Sequence, residues 1–181
     1  HRLREEVDAV AVGIGTVLRD DPQLTVRLPR KRRDPLRVVL DSRARTPEDA
    51  RLLGPGGPLL IAVTEAAPPE RVTALRARGA DVLVLPEESG HVSVGALFRA
   101  LGERGVMSVL IEGGGTVAAA AFAADVVDRV LFFVAPRIAG GKDAPTPVDG
   151  EGIALMAEAL RIDGLKARRV GEDLAIEGYV H

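Results

Sequence analysis

The run Ile111-Glu112-Gly113-Gly114-Gly115-Thr116 is the part of this 181-residue chain whose residue types could do the most chemistry. An apolar strand is predicted over residues 108–111 and an alanine-rich helix over 116–124. The corner between them is glycine alone. Such a corner lets the backbone come close to a ligand, and it aims free N–H groups and the positive end of a helix dipole at one point. That point suits a phosphate. The carboxylate of Glu112, at the strand end, suits a neutral or hydrogen-donating group instead. Gly113-x-Gly115-x-x-Ala118 also fits a dinucleotide fingerprint. It lies late in the chain, however, and Asp125 and Asp128 come before the next strand. A standard Rossmann domain is therefore disfavoured. The plain alternative is a tight turn that binds nothing.

A second constellation runs from Gly13 through Thr16, Asp20, Asp21-Pro22 and Leu24 to Arg27. It follows a buried strand, so it belongs at that strand's C-terminal end, the edge where open α/β sheets bind ligands. Thr16 offers a hydroxyl, Asp20 an acceptor and Arg27 a forked donor suited to phosphate. Alternatively the segment is a loop in which Asp20 and Asp21 cap a turn before Pro22. Arg4 stands among Arg2, Glu5 and Glu6, and on local grounds reads as part of a solvated helix face. Asp41-Ser42 ends another strand and faces either a ligand or the turn leading to Thr46-Pro47. Arg43 and Arg45 follow it. They are either cations for a cofactor 2′-phosphate or exposed arginines.

The elements that must hold these residues alternate. Strands are predicted over 8–13, 36–40, 59–64, 81–85, 108–112 and 129–135, and helices over 69–77, 94–102 and 116–124. This alternation predicts an α/β domain with a mainly parallel sheet covered on both faces. Residues 166–170 and 174–180 read as an antiparallel hairpin closing one sheet edge. Loops are expected over 29–35, 54–58, 86–90 and 140–152. The last of these is long and rich in glycine and proline.

Composition narrows the classes further. Hydrophobic residues make up 46% and charged residues 28%, as in ordinary globular proteins, and the length fits a single domain over 1–181. A net charge of −2 gives no drive toward nucleic acid or acidic membranes. Arg30-Lys31-Arg32-Arg33 lacks interleaved aromatics and reads as a solvated loop. The chain has no cysteine, which excludes disulfides and thiolate metal sites and is compatible with the cytoplasm. Two of its three histidines are the chain ends, so no metal is expected. No apolar run is long enough to span a bilayer. The opening His1-Arg2-Leu3-Arg4 lies in helical register without a methionine, and reads as part of a longer chain.

Taken together, HRLREEVDAVAVGIGTVLRDDPQLTVR, VVLDSRARTP, VLIEGGGTVAAAAF and APRIAGGKDAPTP followed by GEGIALMAEAL resemble the bacterial riboflavin-biosynthesis reductases. These are the 5-amino-6-(5-phosphoribosylamino)uracil reductases, which form the C-terminal half of a bifunctional deaminase/reductase. The resemblance implies a dihydrofolate-reductase-like fold, NADPH as cofactor, a homodimer, and a deaminase either fused or separate. It implies substrate contacts at Arg4, Leu24, Arg27 and Glu112, with the two arginines on the ribose phosphate. It implies cofactor contacts at Thr16, Asp20, Ser42 and the turn Gly114, Gly115, Thr116, Val117, Ala118, Ala119 and Ala120. Two departures stand out. The family's N-terminal strand, with its serine and tryptophan, is missing from this sequence, and none of the deaminase's zinc ligands occurs.

The implied reaction is hydride transfer from the nicotinamide to C1′ of the ring-opened ribosylamino substrate. Orientation of two bound reactants can lower a barrier by about 7–11 kcal/mol, so no nucleophile is needed. Asp20 or a water supplies the proton, and Glu112 orients the pyrimidine or the sugar amine. The rival readings are a reductase of the diamino-pyrimidine precursor and a non-catalytic nucleotide-binding module.

Overall fold

The computed structural model describes residues 1–141, 144, 146–150 and 152–180. Positions 142, 143, 145 and 151 of the expected 140–152 loop lie outside the described residues. The element order is α1 (Arg2–Glu6), β1 (Ala9–Gly13), α2 (Ile14–Asp20), β2 (Leu36–Leu40), β3 (Leu59–Val63), α3 (Pro69–Ala77), β4 (Asp81–Val84), β5 (Glu87–Glu88), β6 (His91–Val92), α4 (Val94–Glu103), β7 (Val109–Ile111), α5 (Gly115–Ala123), β8 (Arg129–Val134), β9 (Ile162–Val170) and β10 (Asp173–Val180).

Five strands form a wholly parallel sheet in the order β4-β3-β2-β1-β7. The apolar runs AVAVG of β1 and LLIAV of β3 are buried along their whole length. This is the burial expected of a parallel sheet with both faces covered. The strand period of two divides the core between those faces. Val10 and Val12 of β1 join Val17, Val39, Ile61 and Leu75 on one side. Ala9 and Ala11 join Val38, Leu60, Leu97 and Leu101 on the other. Helix α3 starts with Pro69 at its first turn, where a missing N–H costs nothing. Helix α4 starts at Ser93, whose side chain accepts the Ala96 amide at 3.4 Å.

Three features differ from expectation. First, residues 14–20, where the sequence pattern predicts no helix and a loop is one of the alternatives, form helix α2. Second, a small β5–β6 hairpin occupies part of the expected loop over 86–90. Third, the C-terminal hairpin does not close the edge of the parallel sheet. β8 pairs with β10, and β10 with β9, in a separate antiparallel sheet ordered β8-β10-β9. The hydrophobic pattern identified β8 as a strand, but carried no information about which strand it pairs with.

Order at the start of the parallel sheet depends on Asp8. One carboxylate oxygen accepts the Met107 amide and the Ser108 hydroxyl, both at 3.1 Å, and the other accepts Arg33 Nη2 at 2.9 Å. These contacts tie β1 to β7 at their N-terminal ends. The Arg33 hydrogen bond is the largest of the influences holding the Asp8 carboxyl below its ordinary pKa. A carboxyl lowered in the folded state stabilises the fold above its unfolded pKa of about 3.9, and that contribution disappears as pH falls through the folded value. Asp8→Asn should therefore lower the urea midpoint at pH 7, with the gap to wild type closing in acid. A gap of constant size across the pH range would show that the charge has no part in it.

Candidate active site

The sheet order contains one reversal. From β1 the chain builds outward through β2, β3 and β4, and β7 then returns to the opposite side of β1. The crevice beyond the C-terminal ends of β1 and β7 is the topological switch point, where open α/β sheets place ligands. Both glycine-bearing corners fall there. β1 runs directly into α2 through Gly13, and β7 into α5 through Glu112, Gly113 and Gly114. The Glu112 amide donates to the Ala11 carbonyl at 2.9 Å, which holds the two strand ends side by side.

The backbone explains the glycines. Gly113 and Gly114 have φ of +67° and +82°, a region that side-chain-bearing residues rarely adopt. Gly13 sits so close to α5 that a Cβ there would lie 2.9 Å from Val117 Cγ2. The amides of Gly115, Thr116 and Val117 precede the first intrahelical bond of α5, which Ala118 makes to the Gly114 carbonyl at 3.1 Å. Such amides are the unpaired donors of a helix N-terminus.

Around this crevice lies a cleft of about 860 Å3. Of the residues expected to meet a cofactor, Thr16, Ser42, Gly114, Gly115, Thr116, Val117 and Ala120 line it, together with Arg43 and Arg45. Ala118, Ala119 and Asp20 do not line it. Asp20 is exposed at the end of α2, one turn beyond Thr16. The cleft is also lined by residues with no local sign of a role, among them Arg19, His91, Thr146 and Asp149. Thr146 lies within the APRIAGGKDAPTP motif, and for Asp149 the glycine- and proline-rich composition of the 140–152 segment was the one sequence signal.

Asp41 and Ser42 divide the alternatives open to them. Asp41 is fully buried and is a turn-former. It accepts the Arg45 and Thr46 amides at 2.9 and 2.7 Å and the Thr46 hydroxyl at 2.8 Å. From the other side Arg71 donates to the carbonyls of Ala44 and Thr46 at 3.1 and 2.7 Å. The turn carrying Arg43 and Arg45 is thereby fixed at the cleft wall. Ser42 faces the cleft, and its hydroxyl oxygen accepts the Val92 amide at 3.0 Å.

Arg4, Glu112 and the 24–27 segment also come together. Arg4 Nε and Nη2 grip the two Glu112 oxygens at 2.7 and 2.5 Å, and Nη1 donates to the Thr25 carbonyl at 3.0 Å. Arg4 thus belongs to a two-pronged pair spanning 108 positions, not to a solvated helix face. The hydrogen bond to Glu112 holds the Arg4 pKa above its ordinary value against the opposing pull of burial. Of the five N–H donors of a guanidinium, two remain for a ligand. Arg27 is exposed, with its Nε 3.2 Å from His1 Nε2. Leu24 has its side chain in the core and its backbone at φ +55°, an outlier for a bulky residue.

Comparison with known proteins identifies this arrangement. Residues 1–176 match the RibD C-terminal domain. The chain belongs to that family. It is 46% identical over 179 residues to the 2,5-diamino-6-ribosylamino-4(3H)-pyrimidinone 5′-phosphate reductase of Methanothermobacter thermautotrophicus, covering 98% of this chain and 82% of that protein. It is 34% identical over 180 residues to the riboflavin biosynthesis protein RibD of Actinobacillus pleuropneumoniae, covering 99% of this chain and 48% of that protein. A solved RibD chain from Acinetobacter baumannii superposes with a TM-score of 0.82 at 26% identity, covering 99% of this chain and 49% of that one. The chain thus spans about half the length of the RibD proteins it matches. The resemblance extends to archaeal reductases as well as bacterial ones, so the bacterial qualifier was too narrow. The fold is that of the dihydrofolate-reductase-like RibD reductases.

A reductase of this family implies a nicotinamide cofactor, and the cleft fits one. Its volume lies within the range of small-molecule sites. Hydroxyls, arginines and helix-terminal amides line it, a donor set suited to an anionic dinucleotide. A Cβ on Gly15, in the cleft wall, would meet nothing within 4 Å. Gly15→Val should therefore keep the thermal midpoint of the wild type while sharply weakening cofactor binding in a fluorescence titration. Unchanged affinity would remove the cleft as the cofactor site.

Proposed function

We propose that this chain is one reductase domain that uses NADPH to reduce the ribosylamino side chain of a 5′-phosphorylated pyrimidine to the ribityl product. The observation that carries this reading is the meeting of two differently built sites at the ends of β1 and β7. One is a glycine cradle with helix amides and arginines. The other is the Arg4–Glu112 pair beside the 24–27 segment. The first suits the cofactor diphosphate, with Arg43 and Arg45 meeting the 2′-phosphate. The second suits a substrate with an anionic tail and hydrogen-donating amines.

When bound, the nicotinamide supplies the hydride. The protein's part is to hold and orient. Arg27 takes the substrate phosphate, and Arg4 adds its two remaining N–H groups. Glu112, its charge compensated by Arg4, accepts from the pyrimidine or the sugar amine. Leu24 contributes backbone, since its side chain is in the core. Thr16 and Asp20 stand four residues apart on α2 and share a face. Asp20 lies outside the cleft, so a proton from it reaches the substrate only through water.

Two substrates fit this description. The first is 5-amino-6-(5-phosphoribosylamino)uracil. The second is its diamino-pyrimidine precursor, favoured by higher identity to reductases named for that compound (46% and 41%) than to RibD proteins (34% and 32%). Oxidation of NADPH, and of NADH in parallel, with each pyrimidine separates these readings from each other and from a non-catalytic binder. Arg27→Ala should raise the KM for the preferred pyrimidine roughly tenfold or more, since hydrogen bonds to charged groups contribute about 1.5–3 kcal/mol. The NADPH dissociation constant should stay as it was. Equal loss of both affinities would contradict the role given to Arg27.

We further propose a homodimer through the antiparallel sheet. Strand pairing puts Phe132 and Val134 of β8, Leu174 and Ile176 of β10 and Ala167 and Arg169 of β9 on one face, which is apolar apart from Arg169. Val134 and Leu174 are 48% and 47% exposed. An apolar face of this kind calls for a partner, and a second copy of the chain supplies a matching one. Sedimentation of Leu174→Arg should give monomers where the unaltered chain gives dimers, whereas dimers from both would exclude this face. A phosphorylated substrate and a reduced cofactor fit a cytoplasmic location, with any deaminase fused or separate, and cell fractionation tests the location.

A further inference from the structure

The space in front of α5 is contested. The 146–150 segment brings the Asp149 carboxylate against the first turn of that helix. The Asp149 amide donates to the Gly115 carbonyl at 3.1 Å. One carboxylate oxygen accepts the Thr116 hydroxyl at 3.3 Å, and the other accepts the Thr146 hydroxyl at 2.5 Å. A methyl group on Gly115 would overlap this carboxylate. An anion therefore already lies against the first turn of α5, next to the glycine corner, held there by two hydroxyls.

We propose that Asp149 is a tethered competitor for the cofactor's phosphate seat, and that cofactor binding displaces it. The proposal rests on the reading of the cleft as the cofactor site. Its physics is that of one positive helix end and two candidate anions. A carboxylate at a helix N-terminus is favourable, so the ligand-free chain stabilises itself by seating Asp149. A diphosphate brought to the amides of that turn would crowd the carboxylate beside them and repel it in charge. Only the fraction of molecules with Asp149 withdrawn can bind, and the apparent affinity falls by that fraction. The 146–150 segment is then released as the cofactor enters, the reverse of a lid that closes on its ligand.

The test is NADPH titration by calorimetry of the full chain and of Asp149→Ala, with backbone amide exchange of the unaltered chain followed alongside. Asp149→Ala should bind NADPH more tightly, on the order of fivefold. In the unaltered chain, exchange of the Asp149 amide should speed up at saturating NADPH as its bond to Gly115 is lost. Equal or weaker binding by Asp149→Ala, or slower exchange at saturation, would overturn the proposal while leaving the cofactor site in place. Failure of both chains to bind NADPH would overturn the cleft reading, and this proposal with it.

Discussion

The site depends on one geometric constraint: β1 and β7 are parallel neighbours whose following helices begin at the same edge. In a parallel pair every strand ends on the same side, so the unpaired amides of both turns point to the same place. The register Ala9 to Val109 and Ala11 to Ile111 fixes that edge to the residue. A shift of one residue would turn every side chain of β7 to the other face and take Glu112 away from Arg4. The cores on both faces of the sheet are therefore also what positions the chemistry.

Charge is arranged in compensating pieces around that edge. Glu112 would repel a phosphate, but it is held in a bidentate grip by Arg4, and the pair is only partly exposed, at 17% and 29% of the side chains. Arg37, buried in β2, is satisfied differently. It donates to the carbonyls of Gly57 and Leu52, and burial lowers its pKa. It fastens the 52–57 segment to the sheet without contacting a carboxylate. Arg71 and Asp41 hold the Arg43–Arg45 turn from opposite sides, one on its carbonyls and one on its amides. The Arg4–Glu112 pair and the backbone of the Arg43–Arg45 turn are thus fixed in place before any ligand arrives.

Much of this was legible in the sequence because the signals are local. The continuous apolar runs of β1 and β3 announce buried parallel strands, and the bounds of β2 and α3 match those expected. The three glycines after Glu112 announce a tight turn, and Gly114 to Val117 together with Ala120 do line the cleft. Non-local facts were not legible. Arg4 looks solvated beside Glu5 and Glu6 because its partner lies 108 positions away. Helix α2 was hidden by the flanking glycines and by Asp20-Asp21-Pro22, whose local preferences favour a turn, while tertiary packing of Ile14 and Val17 draws the segment into a helix. The left-handed backbone of Leu24 contradicts its own propensity, so only the fold reveals it. The reach of Asp149 to Gly115 depends on how a long loop crosses the sheet edge, which no residue pattern specifies.

The central claim is that a cofactor diphosphate sits at the shared edge of β1 and β7. Amide chemical-shift mapping of the chain during titration with NADPH tests it most directly. The account predicts that the largest shifts fall on residues 13–16 and 114–117. Large shifts confined to the opposite edge of the sheet, around Asp8 and Ser108, would contradict it.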